Sequence, residues 1–147
     1  TGRMGNTDRE EKLYAESIKA DPEWGIPWFN LALLQQKEKR LVEARESIEK
    51  AIHLEPKSAP YYVLQAQIVD KSGKKFAVQE FLDMAVKLFK PIEQLSKWEL
   101  HWYSKCAEMS GEHDAAARAT AERNRRENDE ELDISDVQDG LLPMLAA

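Results

Sequence analysis

The sequence predicts an all-α fold assembled from antiparallel helical hairpins, and three observations carry that prediction. Residues 28–36 and 41–55 hold apolar side chains at helical spacing, joined by Lys37-Glu38-Lys39-Arg40, a link too short for anything but an antiparallel turn. Ala32, Ala44 and Ala51 supply small side chains where two helix backbones have to approach, and Pro56 ends the second helix because it has no N–H for the helical ladder. The unit then recurs: Pro22 and Pro56, Trp28 and Tyr62, and Ala51 and Ala85 each stand 34 residues apart.

Trp28, Leu31, Ala32, Ala44, Ile48, Ala51 and Pro56 together give a specific pattern of bulky, small and helix-ending residues. It resembles the tetratricopeptide repeat, a helix–turn–helix unit of 34 residues. Lys39 departs from that family's pattern, standing where the turn glycine belongs. The resemblance implies a right-handed solenoid of about three repeats plus a half-repeat. It also implies a concave groove lined by the first helix of each repeat, and a function in protein–protein recognition.

Taken in order, residues 1–22 read as the second helix of a truncated repeat. Counting back one period puts Gly5 at the turn and Thr7 or Asp8 at the cap of a helix ending near Ala20. An array that begins mid-repeat leaves one helix uncovered, so a fragment of a longer array is expected. Residues 23–58 form the most regular repeat. Residues 59–96 form the next, with Tyr62, Ala66, Gly73, Leu82 and Ala85 in the matching places and Val78 replacing an alanine. Gly73 and Gly111 are 38 residues apart, so this unit carries extra length, absorbed by residues 92–96 as a helical extension or a loop. Residues 97–127 form a degenerate repeat and C-terminal cap, in which Asp114 is placed to cap the last helix and Arg123 occupies a slot for a buried alanine. Residues 128–147 are an acidic tail spotted with apolar side chains.

The charge distribution narrows the partners. Of 147 residues, 27 are acidic and 21 basic, and seven of the acids lie from Glu127 onward, where no Lys or Arg occurs. The body is thus nearly neutral, which argues against nucleic acid, whose backbone calls for a positive stripe. No apolar run of about 18 residues is present, so no membrane span is expected. The single cysteine, Cys106, forms no internal disulfide and belongs to no metal-ligand pair, and a cytoplasmic location is the expectation. His53, His101 and His113 fall on different elements with no partnered nucleophile, so neither catalysis, a metal nor a cofactor is expected.

The candidate site follows from the resemblance. The groove-facing positions of the first helices carry over to Ile26, Phe29, Asn30, Leu33, Gln36 and Lys37, then Val63, Gln67, Asp70 and Lys71, then Trp98, His101 and Lys105. Phe29, Leu33 and Val63 are apolar where an open groove would meet water, which reads as a site for a protein or peptide partner. Lys37, Lys71 and Lys105 would meet the acids of such a ligand. One subgroup of the family clamps acidic chaperone tails with a defined Lys, Asn and Arg set. Of that set only Asn30 is matched, so the resemblance does not extend to that clamp. The tail's Leu141, Leu142, Met144 and Leu145 have the composition the groove would accept, in their own or a neighbouring chain. Two alternatives stand beside the adaptor reading: a regulatory module of a larger enzyme, and a structural subunit that self-associates through the tail or the half-repeat.

Overall fold

The computed structural model describes the backbone of residues 2–129 and the side chains of residues 7–126. The tail candidates Leu141, Leu142, Met144 and Leu145 lie outside the described residues. Seven α-helices make up the described chain: α1 (Gly2–Ala20), α2 (Gly25–Lys37), α3 (Leu41–Leu54), α4 (Ala59–Lys71), α5 (Val78–Leu88), α6 (Lys97–Met109) and α7 (His113–Asp129). Short 3-10 turns at Lys75–Ala77 and Ile92–Gln94 precede α5 and α6. The helices pair as α2–α3, α4–α5 and α6–α7, with α1 against α2, so the chain is an all-α solenoid of helical hairpins.

One device makes all three hairpin turns. The amide N–H groups of Arg40, Lys74 and Glu112 each donate back to the carbonyl five residues earlier, on Gln35, Val69 and Ala107, at 2.8–2.9 Å. The preceding residues, Lys39, Gly73 and Gly111, have φ of 64°, 84° and 79°. This pair of features is the Schellman ending, which satisfies the last carbonyls of a helix and needs one residue in the left-handed region. Glycine supplies that conformation twice, and Lys39 does so against the steric preference of its Cβ.

Packing within the hairpins follows the small residues. Ala32, Ala44, Ala51, Ala66 and Ala85 are all 0% exposed, and Ile48 and Leu82 fill the space between them. Ser47 donates to Gln35 Oε1 at 2.7 Å inside the first hairpin, so a buried polar pair is satisfied there. Helix α1 is fixed by charge as well as by buried Tyr14. Arg40 grips Glu11 of α1 with both Nη atoms, at 2.9 and 3.0 Å, and also pairs with Glu38 and Glu43.

Three expectations are corrected. Gly5 lies within α1, which begins at Gly2, so it makes no turn and neither Thr7 nor Asp8 caps the helix. A lone glycine costs a helix about 1 kcal/mol, too little to break a continuous run of backbone hydrogen bonds. Asp114 sits inside the first turn of α7, where a carboxylate favours the positive helix end from within. The extra length near 92–96 is neither a helical extension nor a plain loop. Ile92–Gln94 forms a 3-10 turn, Leu95 plugs a small cluster with Leu100 and Ala119, and Ser96 and Glu99 make a reciprocal capping box that starts α6.

The inserted turn is pinned from a distance. The Arg126 guanidinium donates to the carbonyls of Leu95, Ile92 and Glu93 while its Nε meets Glu122 at 2.7 Å. Paired with both Arg125 and Arg126, Glu122 is held well below the usual carboxylate range. Beyond its hairpin partner α7, α6 packs on α4 and barely on α5, whereas α4, beyond its own partner α5, packs mainly on α3.

Replacing Lys39 with glycine should relieve the left-handed strain and raise stability by about 0.5–1 kcal/mol, after the entropy glycine adds to the unfolded chain. Urea unfolding would show a higher midpoint at unchanged slope, and a lower midpoint would contradict the assignment.

Candidate functional site

The first helices of the three hairpins, α2, α4 and α6, meet along one side of the solenoid. Gln36 Nε2 donates to Gln67 Oε1 at 3.2 Å and ties α2 to α4. Above that link lies an aromatic cluster drawn from all three helices. The Phe29 ring stacks on Tyr61 at 5.0 Å and receives Trp98 and Trp102 edge-on at 5.4 and 5.5 Å. Tyr61 also meets Trp98 at 6.4 Å and donates its hydroxyl to Glu55 Oε1 at 2.9 Å. Burial, reinforced by the Glu55 carboxylate, raises the Tyr61 phenol far above its ordinary range, so it stays a neutral donor.

This cluster overturns the picture of an open apolar groove. Phe29 and Val63 are 0% exposed and Leu33 is 4% exposed. Asn30 and Gln36 are buried as well. The reason is the position of α6: freed from α5, it folds across α4 until its two tryptophans reach α2. The side chains expected to greet a ligand are therefore the floor of the fold. Of the other candidates, Lys37 and Lys71 are exposed, while Ile26, Gln67, Asp70, Trp98, His101 and Lys105 are half-buried. Asp70 pairs with Lys75 at 3.4 Å.

A polar cavity of about 390 Å³ opens beside this floor, between α6 and α7. His101 and Lys105 line it from α6, and Thr120, Arg123 and Asn124 from α7. Arg123 Nη1 lies 3.1 Å from His101 Nδ1. A guanidinium only donates, so Nδ1 accepts and the imidazole carries its proton on Nε2. Burial pushes the His101 imidazole down to about 4, and the cations of Arg123, Lys105 and Lys37 add to the effect. Lys37 of α2 is thus part of the same positive field as two residues from the other end of the chain.

Arg123 and its neighbours on α7 were not among the candidate site residues. The signal was present: an arginine in a slot for a buried alanine needs a partner, and His101 provides one. Cys106 is 2% exposed, and burial, with help from Glu112 and Asp83, raises its thiol to about 11, so it packs as an unreactive group. No cluster of three or more His, Cys, Asp or Glu suited to a metal occurs among the described residues, and no helix among them is long and apolar enough to cross a membrane.

No family model and no curated protein matches the chain. Solved structures do. The chain is similar to the MamA RS-1 ArsTM double mutant, at 17% identity and a TM-score of 0.53, covering 90% of this chain and 72% of that one. A structure described as the functional characterization of Pseudomonas aeruginosa pilF aligns at 18% identity and a TM-score of 0.48, covering 88% and 59%. MamA is a tetratricopeptide-repeat protein, and the likeness to it, with the paired helices of this chain, shows a tetratricopeptide-like fold.

Two outcomes follow from the site's geometry. Phe29→Ala should cost about 3–5 kcal/mol of stability, as a buried aromatic does, rather than merely weaken binding; thermal unfolding measures it. His101 is neutral in the fold but titrates near its ordinary value of about 6.5 when unfolded. The unfolded state therefore binds the extra proton first, and the stability from neutral His101 is complete above that value and lost as pH falls towards about 4. The loss should be on the order of 1–3 kcal/mol. His101→Gln, which keeps an acceptor for Arg123, should unfold with a shallower pH slope across that window.

Proposed function

We propose that this solenoid is a protein–protein interaction module, not a catalyst, and that it holds an acidic segment of a partner along the outer ends of α2 and α4 and the open side of α6. The observation that carries the reading is the convergence of Lys37, Lys105 and Arg123 around His101, above a floor already packed with aromatic side chains. Lys71 repeats the position of Lys37 one hairpin later and extends the positive edge. Gln67 and the half-buried Trp98 and Ile26 supply polar and apolar contacts beside it.

The closed floor supports this reading energetically. A packed aromatic base needs little ordering when a ligand lands on it, so little of the binding energy is lost to entropy. Without an open apolar trench, though, affinity has to come from charge and a few shallow contacts. A value near micromolar, about -8 kcal/mol, suits such a surface and a reversible adaptor. Charge complementarity would act mainly on the rate of association and on partner choice. The tail's Leu141, Leu142, Met144 and Leu145, outside the described residues, have the composition of an internal competitor for the same path.

The test is affinity capture with the wild type and a Lys37→Glu, Lys71→Glu double variant. Both positions are exposed, so unfolding stability should change by no more than about 0.5 kcal/mol. Partners of the wild type should bind the variant at least about tenfold more weakly and be released by moderate salt. Partners retained equally by both proteins would put the interface elsewhere.

A further inference from the structure

The four phenylalanines of this chain are not placed alike. Phe29 is buried, and Phe81 and Phe89 pack against the core. Phe76 is 87% exposed, the most exposed of the large apolar side chains among the described residues. It stands in the 3-10 turn Lys75–Ala77, at the tip of the α4–α5 hairpin. From Lys71 to Gln79 the chain carries three lysines, Lys71, Lys74 and Lys75, and no acid. All three are exposed. Lys75 meets Asp70 at 3.4 Å with its side chain still 81% exposed, while Lys71 and Lys74 have no acidic partner among the described residues. Lys39, on the turn of the preceding hairpin, is exposed as well.

The backbone holds this tip firmly. The N–H of Lys74 donates to the Val69 carbonyl at 2.9 Å, that of Gly73 to Asp70 at 3.1 Å and that of Ala77 to Lys74 at 3.1 Å. Such bonds matter where a turn leaves water, because an unsatisfied backbone N–H is costly in an apolar medium. Gly73 reverses the chain at φ 84°, and a side chain added there would meet nothing within 4 Å, so the tip is open on that side. A single ring protruding from an open turn gives a protein segment little area to cover, whereas a bilayer surface closes around it. Phenylalanine is favoured at the boundary of headgroups and acyl chains. Lysines beside it keep their ammonium groups at headgroup level, where anionic lipids attract them.

We propose that the α4–α5 turn is a membrane-surface anchor, in which Phe76 inserts among the headgroups of an anionic bilayer and Lys71, Lys74 and Lys75 meet the lipid charge. The contact is peripheral and reversible, since one ring and three lysines supply two weak signals rather than a span. It goes beyond the reading of the chain as a protein-interaction module and does not depend on it. The tip shares only Lys71 with the proposed partner face, so an adaptor anchored in this way keeps that face available.

The experiment sediments the full chain with vesicles of phosphatidylcholine containing about 30% phosphatidylserine, and with vesicles of phosphatidylcholine alone. The wild type should sediment with the first and not the second, and added salt should release it. Lys74→Gln, Lys75→Gln and, separately, Phe76→Ser should each weaken the partition by about tenfold. These side chains are exposed, so the unfolding midpoint of both variants should stay at the wild-type value. Insertion is read directly from an environment-sensitive fluorophore on Phe76→Cys, which takes the label selectively because Cys106 is buried. Its emission should move to the blue on phosphatidylserine vesicles alone. A wild type that stays in the supernatant with both vesicles would overturn the proposal. So would vesicle binding that the two variants leave unchanged, which would place the lipid contact on another face. Protein partners lost from Phe76→Ser, with no vesicle binding by the wild type, would make the tip a protein contact and overturn it too.

Discussion

The edge-on contact of Trp98 and Trp102 with Phe29 decides the shape of this molecule. It joins the third hairpin to the first across the second, a contact between units two repeats apart. Each aromatic pair adds about 0.5–1.5 kcal/mol beyond the area it buries. Burying side chains of this size contributes about 1.5–3 kcal/mol each. Those terms offset what α6 forgoes by leaving α5, on which Val86 remains 57% and Met84 39% exposed.

The hairpins were legible in the sequence because everything that makes them is local. The Schellman turns, the alanines at close approach and the capping box each involve residues a few positions apart, and a 34-residue spacing repeats them. The direction of α6 was not legible, because it hangs on a 3-10 turn held by Arg126 from 31–34 residues away. The burial of Phe29, Leu33 and Val63 was not legible for a related reason. An apolar residue on the inner side of a first helix is equally suited to a partner and to another helix of the same chain. Trp98 and Trp102, both in groove-facing slots of one hairpin, were the hint that the chain fills its own groove. His101 and Lys105 were found through the resemblance; Arg123 was noticed as an oddity, and only the distance to His101 gives it a role.

Electrostatics then divides the labour among the arginines. Arg40 fixes α1 to the first hairpin, and Arg126 fixes α7 to the inserted turn. Both work at the periphery, where each ion pair contributes about 0–1 kcal/mol and gains from acting in a network. Neither is displaced easily, because several acceptors share one guanidinium. Arg123 belongs to the other kind. Its imidazole partner is half-buried, and the pair holds α7 against α6.

Cations gathered beside a closed apolar floor have a consequence for recognition. With Phe29, Tyr61 and Trp102 buried inside the fold, discrimination among ligands on the proposed face would rest on where negative charge falls along them. Lys37 and Lys71 sit one period apart on successive helices, and Lys105 with Arg123 marks a third point off that line. A compact acidic cluster would satisfy only one of these points. An extended segment with spaced acids would reach all three, and would be favoured by charge terms that act cooperatively while each stays weak enough to release.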